Sequence, residues 1–340
     1  VAFSPDGRRI AGAGGRDHDK SGFLHVWKSN GGEPVWSLDD QKSIVRALAF
    51  APDHSALACA GADGAITLRH PDSGAIVRTL EGHEGELTSV HFAADRRLVV
   101  AGGVNGAASL WDYHDGHRLQ RFRPPGVLER IVTGGERTVT SVALSRDGQT
   151  LATGSASVGP QFGDQVVRIW DVSTGTLKRE LCNTQTNCRF ILISPDGTIL
   201  ATNGVGKSIT LWDLRTGTQL RSLVAHAHPP QGASFSPDGR LLASGGDFRT
   251  TNVWDVASGR LVATLRTFVE SRSGIAADGW LAFGPEGFYH GSPGLDRFLA
   301  WRVGDDLKRP DSLRALLHRP DRIEAALTGV VSDPGDKPGP

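Results

Sequence analysis

A four-residue string sets the frame for this chain. Ser4-Pro5-Asp6-Gly7 returns as Ser194-Pro195-Asp196-Gly197 and as Ser236-Pro237-Asp238-Gly239. Degenerate copies fill the intervals: Ala51-Pro52-Asp53-His54, Ala93-Ala94-Asp95-Arg96, Ser145-Arg146-Asp147-Gly148 and Gly284-Pro285-Glu286-Gly287. The acidic positions are 6, 53, 95, 147, 196, 238 and 286, so successive copies stand 42 to 52 residues apart. A fixed period of this length marks a chain of similar units, each too small to bury its apolar face alone. The string itself has turn chemistry. Proline presets φ, aspartate bonds its own backbone, and glycine supplies φ > 0.

Two further markers run in phase. Trp111-Asp112, Trp170-Asp171, Trp212-Asp213 and Trp254-Asp255 each follow a turn, and Trp27-Lys28, Arg69-His70 and Trp301-Arg302 hold the same place in the other units. Ser173-Thr174-Gly175, Arg215-Thr216-Gly217, Ala257-Ser258-Gly259 and Asp72-Ser73-Gly74 come next. Between markers lie short runs rich in Ile, Leu, Val and Thr, each bounded by turn residues. In the fifth unit they are 189–193, 199–202, 209–212 and 219–223. Short β-rich runs between turn signals read as strands. Each unit is therefore expected to be a four-stranded antiparallel meander. Three tight turns per unit also account for 43 glycines in 340 residues.

Seven units, four of them with a terminal Trp-Asp, resemble the WD-repeat family, over residues 1 to about 303. The resemblance implies an all-β fold, a seven-bladed β-propeller of four-stranded antiparallel blades. The expected blades are 1–40, 41–82, 83–125, 138–183, 184–225, 226–267 and 279–303. The last is expected to be incomplete, with three strands, because no fourth strand follows Trp301. Residues 304–331 are expected to form a short helical extension, with helices over 311–319 and 321–328 separated by Pro320, and 332–340 has linker composition. The segment from Gly279-Trp280 through His318-Arg319-Pro320-Asp321 looks like the closing module of bacterial WD-repeat proteins. Some of those are fused to caspase-like peptidase or kinase domains. Many family members also carry a buried tetrad of His, Ser or Thr, Asp and Trp. It is mostly broken in this sequence. Gly82-His83 is the only Gly-His pair ahead of a unit's first strand, and its unit has Ala101 and Asn105 at the Ser and Asp places. Thr153, Thr202 and Ser244 hold the Ser or Thr place in other units.

Composition narrows the function. Formal net charge is zero and charged residues are 22%, which argues against a nucleic-acid partner. No run of 18 apolar residues exists, so no membrane-spanning helix is expected, and no signal peptide is visible. A cytoplasmic location is the expectation. Met is absent and Val1 falls at the inside of a strand, so the chain reads as the propeller part of a longer protein.

The chemistry candidates resolve toward structure. Residues 201–208, ending Gly206-Lys207-Ser208, nearly match a phosphate-binding loop, but a strand follows where that motif needs a helix. His226 and His228, Asp17-His18-Asp19, and the group Asp112, His114, Asp115 and His117 lack zinc-site spacing and read as solvated loop residues. Cys182 and Cys188 are separated by three strand gaps, roughly 14 Å, beyond disulfide reach. Free thiols are expected. No catalytic, metal or cofactor residues are assigned. What remains is one loop-rich face, carrying the long insertions 14–22, 123–138, 155–165 and 266–279. Where that face meets the inner strands stand Arg46, Thr88, Thr140, Arg189 and Gln231, with Phe248 and Arg249 nearby. These seven are the expected contacts for a protein or peptide partner. The alternative for Arg46 and Arg189 is pairing with acids such as Asp63 or Glu86. The function read from the sequence is a non-catalytic interaction scaffold. The rival is a sensor or regulatory module of a larger signalling or peptidase protein.

Overall fold

Where the recurring string keeps its serine, it closes the first hairpin through one set of bonds. Ser4 Oγ donates to Asp6 Oδ1 at 2.6 Å; the N–H of Arg8 donates to the same oxygen, and that of Arg9 donates to Ser4 Oγ at 2.9 Å. The serine-to-aspartate bond repeats at Ser145–Asp147, Ser194–Asp196 and Ser236–Asp238, at 2.6, 2.5 and 2.5 Å. These donors hold the carboxyls below their usual range. For Asp6, Asp147 and Asp238 the serine hydroxyl is the largest cause. For Asp196, burial pushes upward, and the hydroxyls of Ser194 and Thr198 with the backbone donors outweigh it.

The computed structural model describes residues 1–16, 21–41, 43–124, 137–157, 166–182, 188–203, 207–224, 226, 228–246, 250–268, 279–286, 288–292, 301–303, 306–308 and 317–328. Two compact units divide the chain: Val1–Val205 with Leu211–Leu220, and Gly206–Thr210 with Arg221–Pro340. Among the described residues, no helix is long and apolar enough to cross a membrane.

Among the described residues, six four-stranded antiparallel meanders, the blades, follow in chain order. The first is β1 (Ala2–Phe3), β2 (Arg9–Arg16), β3 (Ser21–Lys28) and β4 (Pro34–Gln41). The second is β5 (Val45–Phe50), β6 (Leu57–Gly61), β7 (Ile66–Arg69) and β8 (Ile76–Leu80). The third is β9 (Leu87–Phe92), β10 (Leu98–Gly103), β11 (Ala108–Asp112) and β12 (Arg118–Phe122). The fourth is β13 (Arg137–Leu144), β14 (Thr150–Ser157), β15 (Val166–Asp171) and β16 (Leu177–Cys182). The fifth is β17 (Ile191–Ile193), β18 (Ile199–Asn203), β19 (Ser208–Asp213) and β20 (Gln219–Val224). The sixth begins with β21 (Gly232–Phe235), β22 (Leu241–Gly246), β23 (Thr250–Asp255) and β24 (Leu261–Phe268).

The expected seven-bladed count is corrected to six. The strands expected over 279–303 form, but they do not build a blade of their own. β25 (Gly279–Phe283) pairs with β24 in five consecutive registers, from Thr264↔Phe283 to Phe268↔Gly279. β26 (Tyr289–Gly291) pairs with β25, which makes the sixth sheet six-stranded. β27 (Trp301–Val303) pairs with β28 (Asp306–Lys308) in a separate hairpin. The reason lies at the sheet edge. An outer strand presents a row of unpaired N–H and C=O groups. β24 is such an outer strand, and its eight residues offer an edge that the seventh repeat joins.

The C-terminal extension supplies one described helix, α1 (Pro320–Thr328). Proline suits the first helical turn, where its missing N–H costs nothing. Asp321 complements the positive end of the helix dipole. Ile323 is buried, and the N–H of Arg319 donates to Tyr289 O at 3.0 Å, so the segment lies along β26. Of the helix expected over 311–319, residues 311–316 lie outside the described residues.

Within the first unit, apolar faces of successive blades meet. Ala11, Leu24 and Val26 pack with Phe50 and Leu57 between blades one and two. Ala58, Ile66 and Leu68 join Phe92, Val99 and Trp111 between two and three. Val100, Leu110 and Phe122 meet Leu151 and Trp170 between three and four, and Ala152, Val167 and Ile169 meet Ile191 and Leu200 between four and five. The Trp of the second marker is thus a packing residue. Trp111 is 0% exposed, and a buried Trp lost to Ala costs about 3–5 kcal/mol.

The third marker has a packing cause too. An outer-strand side chain of one blade reaches a backbone carbonyl in the last turn of the next. Trp36 donates to Pro71 O at 2.8 Å, Arg78 to Asp115 O at 3.0 Å, and Arg179 to Arg215 O at 3.3 Å. In the second unit Arg221 donates to Ala257 O. The marker glycine makes room. Gly259 has φ +74°, and a Cβ there would stand 2.9 Å from Arg221 Cδ.

Candidate functional site

The sequence-expected contacts occupy one structural position, the β-bulges of the inner strands. Pairing of β5 with β6 skips from Val45↔Gly61 to Ala47↔Ala60, leaving Arg46 without an opposite residue. β9 skips Thr88 between Leu87↔Gly103 and Ser89↔Gly102. β13 skips Thr140 between Val139↔Ser155 and Ser141↔Gly154. A bulge bends its strand and re-aims the extra side chain. In the fifth blade the ladder is replaced at the corresponding place: the N–H of Arg189 donates to Asn203 Oδ1 at 2.8 Å.

The re-aimed side chains fasten blade to blade. Arg46 pairs with Glu86, just before β9, at 3.0 Å. Thr88 Oγ1 donates to Val139 O of the next blade and lies 3.0 Å from Gly102 O of its own. Thr140 Oγ1 likewise bonds Cys188 O and lies 3.2 Å from Gly154 O. The next residues along continue the pattern. Ser89 Oγ accepts the Val142 N–H at 3.1 Å, Ser141 Oγ accepts the Ile191 N–H at 3.0 Å, and His91 Nδ1 accepts the Leu144 N–H at 3.2 Å. These side chains cap inner-strand edges that would otherwise lie open. Burial pushes His91 down to about 4, which keeps Nδ1 free to accept.

The collar surrounds a cavity of about 280 Å³ lying wholly in the first unit, lined among others by Arg46, Thr88, Ser89, Thr140, Ser141 and Arg189. Four of the seven expected contacts, Arg46, Thr88, Thr140 and Arg189, therefore share one cavity. Gln231 lies in the second unit at the start of β21; its N–H donates to Gly245 O at 2.9 Å and its amide to Pro229 O at 3.3 Å. Phe248 and Arg249 lie outside the described residues, as do the middles of the four long insertions.

The polar tetrad survives further than the sequence suggests. Trp170 Nε1 donates to Thr153 Oγ1 at 2.9 Å and Trp212 Nε1 to Thr202 Oγ1 at 3.0 Å. In the sixth blade Trp254 Nε1 donates to Ser244 Oγ at 2.8 Å, and His226 Nε2 stands 2.7 Å from the same oxygen. His226 is 6% exposed, which corrects its reading as a solvated loop residue. Ser244 Oγ already accepts from Trp254, and its other neighbour, Asn252 O, is 3.5 Å away. His226 Nε2 and Ser244 Oγ thus share a buried hydrogen bond, and burial favours the neutral ring. His83 finds a different partner. Its Nδ1 stands 3.2 Å from Ser109 Oγ on β11, while Trp111 Nε1 donates to Glu81 O at 3.0 Å. His83 is pushed down to about 4, by burial first and then by the charge of Arg121.

Among the described residues, the other candidates give no reactive centre. Cys59 and Cys188 are free and buried, and burial pushes both thiols up to about 12. Among the described residues, no three His, Cys, Asp or Glu side chains are grouped to hold a metal ion.

Meanders closed by Ser-Pro-Asp-Gly turns and packed on strand-three tryptophans define a WD40-type β-propeller protein. Stretches of the chain are similar to WD-repeat families. Residues 19–95 match the family described as "Anaphase-promoting complex subunit 4 WD40 domain", and residues 126–171 and 217–255 match "WD domain, G-beta repeat". A guanine nucleotide-binding protein subunit beta of Arabidopsis thaliana is 32% identical over 37% of this chain and 31% of its own length. An uncharacterized WD repeat-containing protein of Synechocystis is 26% identical over 51% of this chain and 45% of its own. Nuclear distribution protein PAC1 of Arthroderma benhamiae is 25% identical over 49% of this chain and 35% of its own. The chain thus spans a third to under a half of these relatives' lengths.

Proposed function

We propose that the chain is a protein-interaction scaffold that engages its partner at the inner-strand collar. The carrying observation is the convergence of Arg46, Thr88, Thr140 and Arg189 on one polar cavity. Bulged positions hold each of the first three there, and bulges recur where a strand must aim a side chain at a function. The described thiols, of Cys59 and Cys188, are buried, and WD40 propellers are in general non-catalytic. The relatives' names agree with assembly roles: one is a subunit of a guanine nucleotide-binding protein and another is a nuclear distribution protein. Arginine is also a frequent anchor of binding energy at protein interfaces.

Affinity isolation on the immobilised chain tests the reading, run in parallel with a variant carrying Arg46→Glu and Arg189→Glu. A partner retained by the natural chain and lost by the folded variant is the expected result. A chain that retains no protein from its own cell extract contradicts the scaffold role. A partner retained equally by both contradicts the collar as its site.

A further inference from the structure

The chemistry of the collar cavity goes further than partner binding in general. Two guanidinium groups, from Arg46 and Arg189, line it, and no carboxylate is among its described lining residues. Ser89 and Ser141 each accept one backbone N–H, which leaves each hydroxyl hydrogen to donate. Thr88 and Thr140 direct their hydrogens to carbonyl oxygens in the strands. The groups that face the cavity with a proton to give are therefore cationic or hydroxyl donors. The complement of such a lining is an anionic acceptor.

Glu86 shows how the site handles one. Its carboxylate sits 3.0 Å from Arg46, with 44% of its side chain exposed. An exposed ion pair of this kind contributes little to stability, so a second carboxylate can displace it at small cost. The cavity volume of about 280 Å³ corresponds to roughly nine waters at their liquid share of about 30 Å³ each. That is room for one carboxylate side chain with part of its hydration. Guanidinium is also the side chain best matched to a carboxylate, through two parallel N–H···O bonds.

We propose that the cavity receives an acidic side chain, Asp or Glu, from the partner polypeptide, and that Glu86 competes with it for Arg46. This rests on the scaffold reading above and names the chemistry of the residue that the partner inserts. Charge complementarity commits the occupant to an acidic peptide.

The test uses the full chain and fluorescein-labelled hexaglutamate, with hexaglutamine and hexalysine as controls, read by fluorescence anisotropy. Hexaglutamate is expected to bind, and the two controls are not. Arg189→Gln is expected to weaken hexaglutamate about tenfold, the loss of a charged hydrogen bond. Glu86→Gln is expected to tighten it, because the competing Glu86 carboxylate is then gone. Arg46→Gln joins the set, and circular dichroism confirms that each variant is folded. Hexaglutamate that binds the natural chain and the Arg189→Gln and Glu86→Gln variants alike overturns the proposal. So does binding reversed by millimolar inorganic phosphate but unaffected by unlabelled hexaglutamate, which assigns the cavity to a free anion. Failure here, with a partner still captured by affinity isolation, sinks the acidic-residue proposal alone. Failure of both sinks the scaffold reading.

Discussion

Replacing Ser244 with Ala separates a linked polar triad from the simpler pairs in neighbouring blades. Ser244 is 0% exposed and serves two buried partners, Trp254 Nε1 at 2.8 Å and His226 Nε2 at 2.7 Å. Alanine keeps the methylene, so almost no cavity opens and the loss is polar. Each buried group left without a partner costs about 1–3 kcal/mol. Two such groups, partly relaxed, give an expected destabilisation of about 2–4 kcal/mol. Thr202→Ala orphans one indole, that of Trp212, and should cost about 1–3 kcal/mol. The assay is urea unfolding followed by tryptophan fluorescence for Ser244→Ala, His226→Ala and the double variant. Contacting residues in one network couple, so the double variant should cost about 1–2 kcal/mol less than the sum of the singles. Additivity to within about 0.5 kcal/mol, the behaviour of independent sites, would refute the triad and return His226 to the loop.

Three further outcomes follow from the geometry. Gly259→Ala forces a side chain into left-handed backbone and toward Arg221, and should lower stability by about 1–2 kcal/mol in the same unfolding assay. Acid should weaken the fold in two stages. His83 and His91 have lowered folded values near 4, so between about 6.5 and 4 the unfolded chain takes up protons the folded one refuses, and stability falls as pH drops through that window. The turn aspartates Asp6, Asp147 and Asp238 have folded values below the ordinary one near 3.9, so their contribution holds above that value and is lost as pH falls toward the folded one. Urea midpoints at descending pH should show both stages, and His91→Asn, which keeps an acceptor for the Leu144 N–H, should flatten the first. Finally, Cys59 and Cys188, with thiols raised to about 12, should resist iodoacetamide in the folded chain at neutral pH and react after unfolding, as intact-mass measurement would show.

The period of the turn string predicts four-stranded meanders, and six of them form. The same period miscounts the blades, because a turn motif reports hairpins and not the sheet they join. Nothing in residues 279–291 distinguishes an inner strand of a new blade from an added strand on β24. That choice depends on an open edge in another part of the chain. At the site, the period places Arg46, Thr88, Thr140 and Arg189 at one level, and the cavity gathers them. Their bulges are not legible, since a bulge is an offset between two strands and leaves no mark on either alone. The alternative pairing of Arg46 with Glu86 is the one the structure contains. His226 did leave a signal. It precedes Ser244 by 18 residues, the same distance as His83 precedes Ala101. The Gly-His pair was too narrow a template, because Ala225 stands where that pair has glycine.

Seven turn motifs building six blades is a claim about which strand neighbours β24. In the described register Leu265 lies directly opposite Ala282, so their side chains share one face of the sheet. Directly opposed residues place their Cβ atoms about 4.5–5.5 Å apart. A chain labelled at Ala and Leu methyl groups should therefore give a nuclear Overhauser contact between Ala282 and Leu265. Absence of that contact would contradict the six-blade architecture.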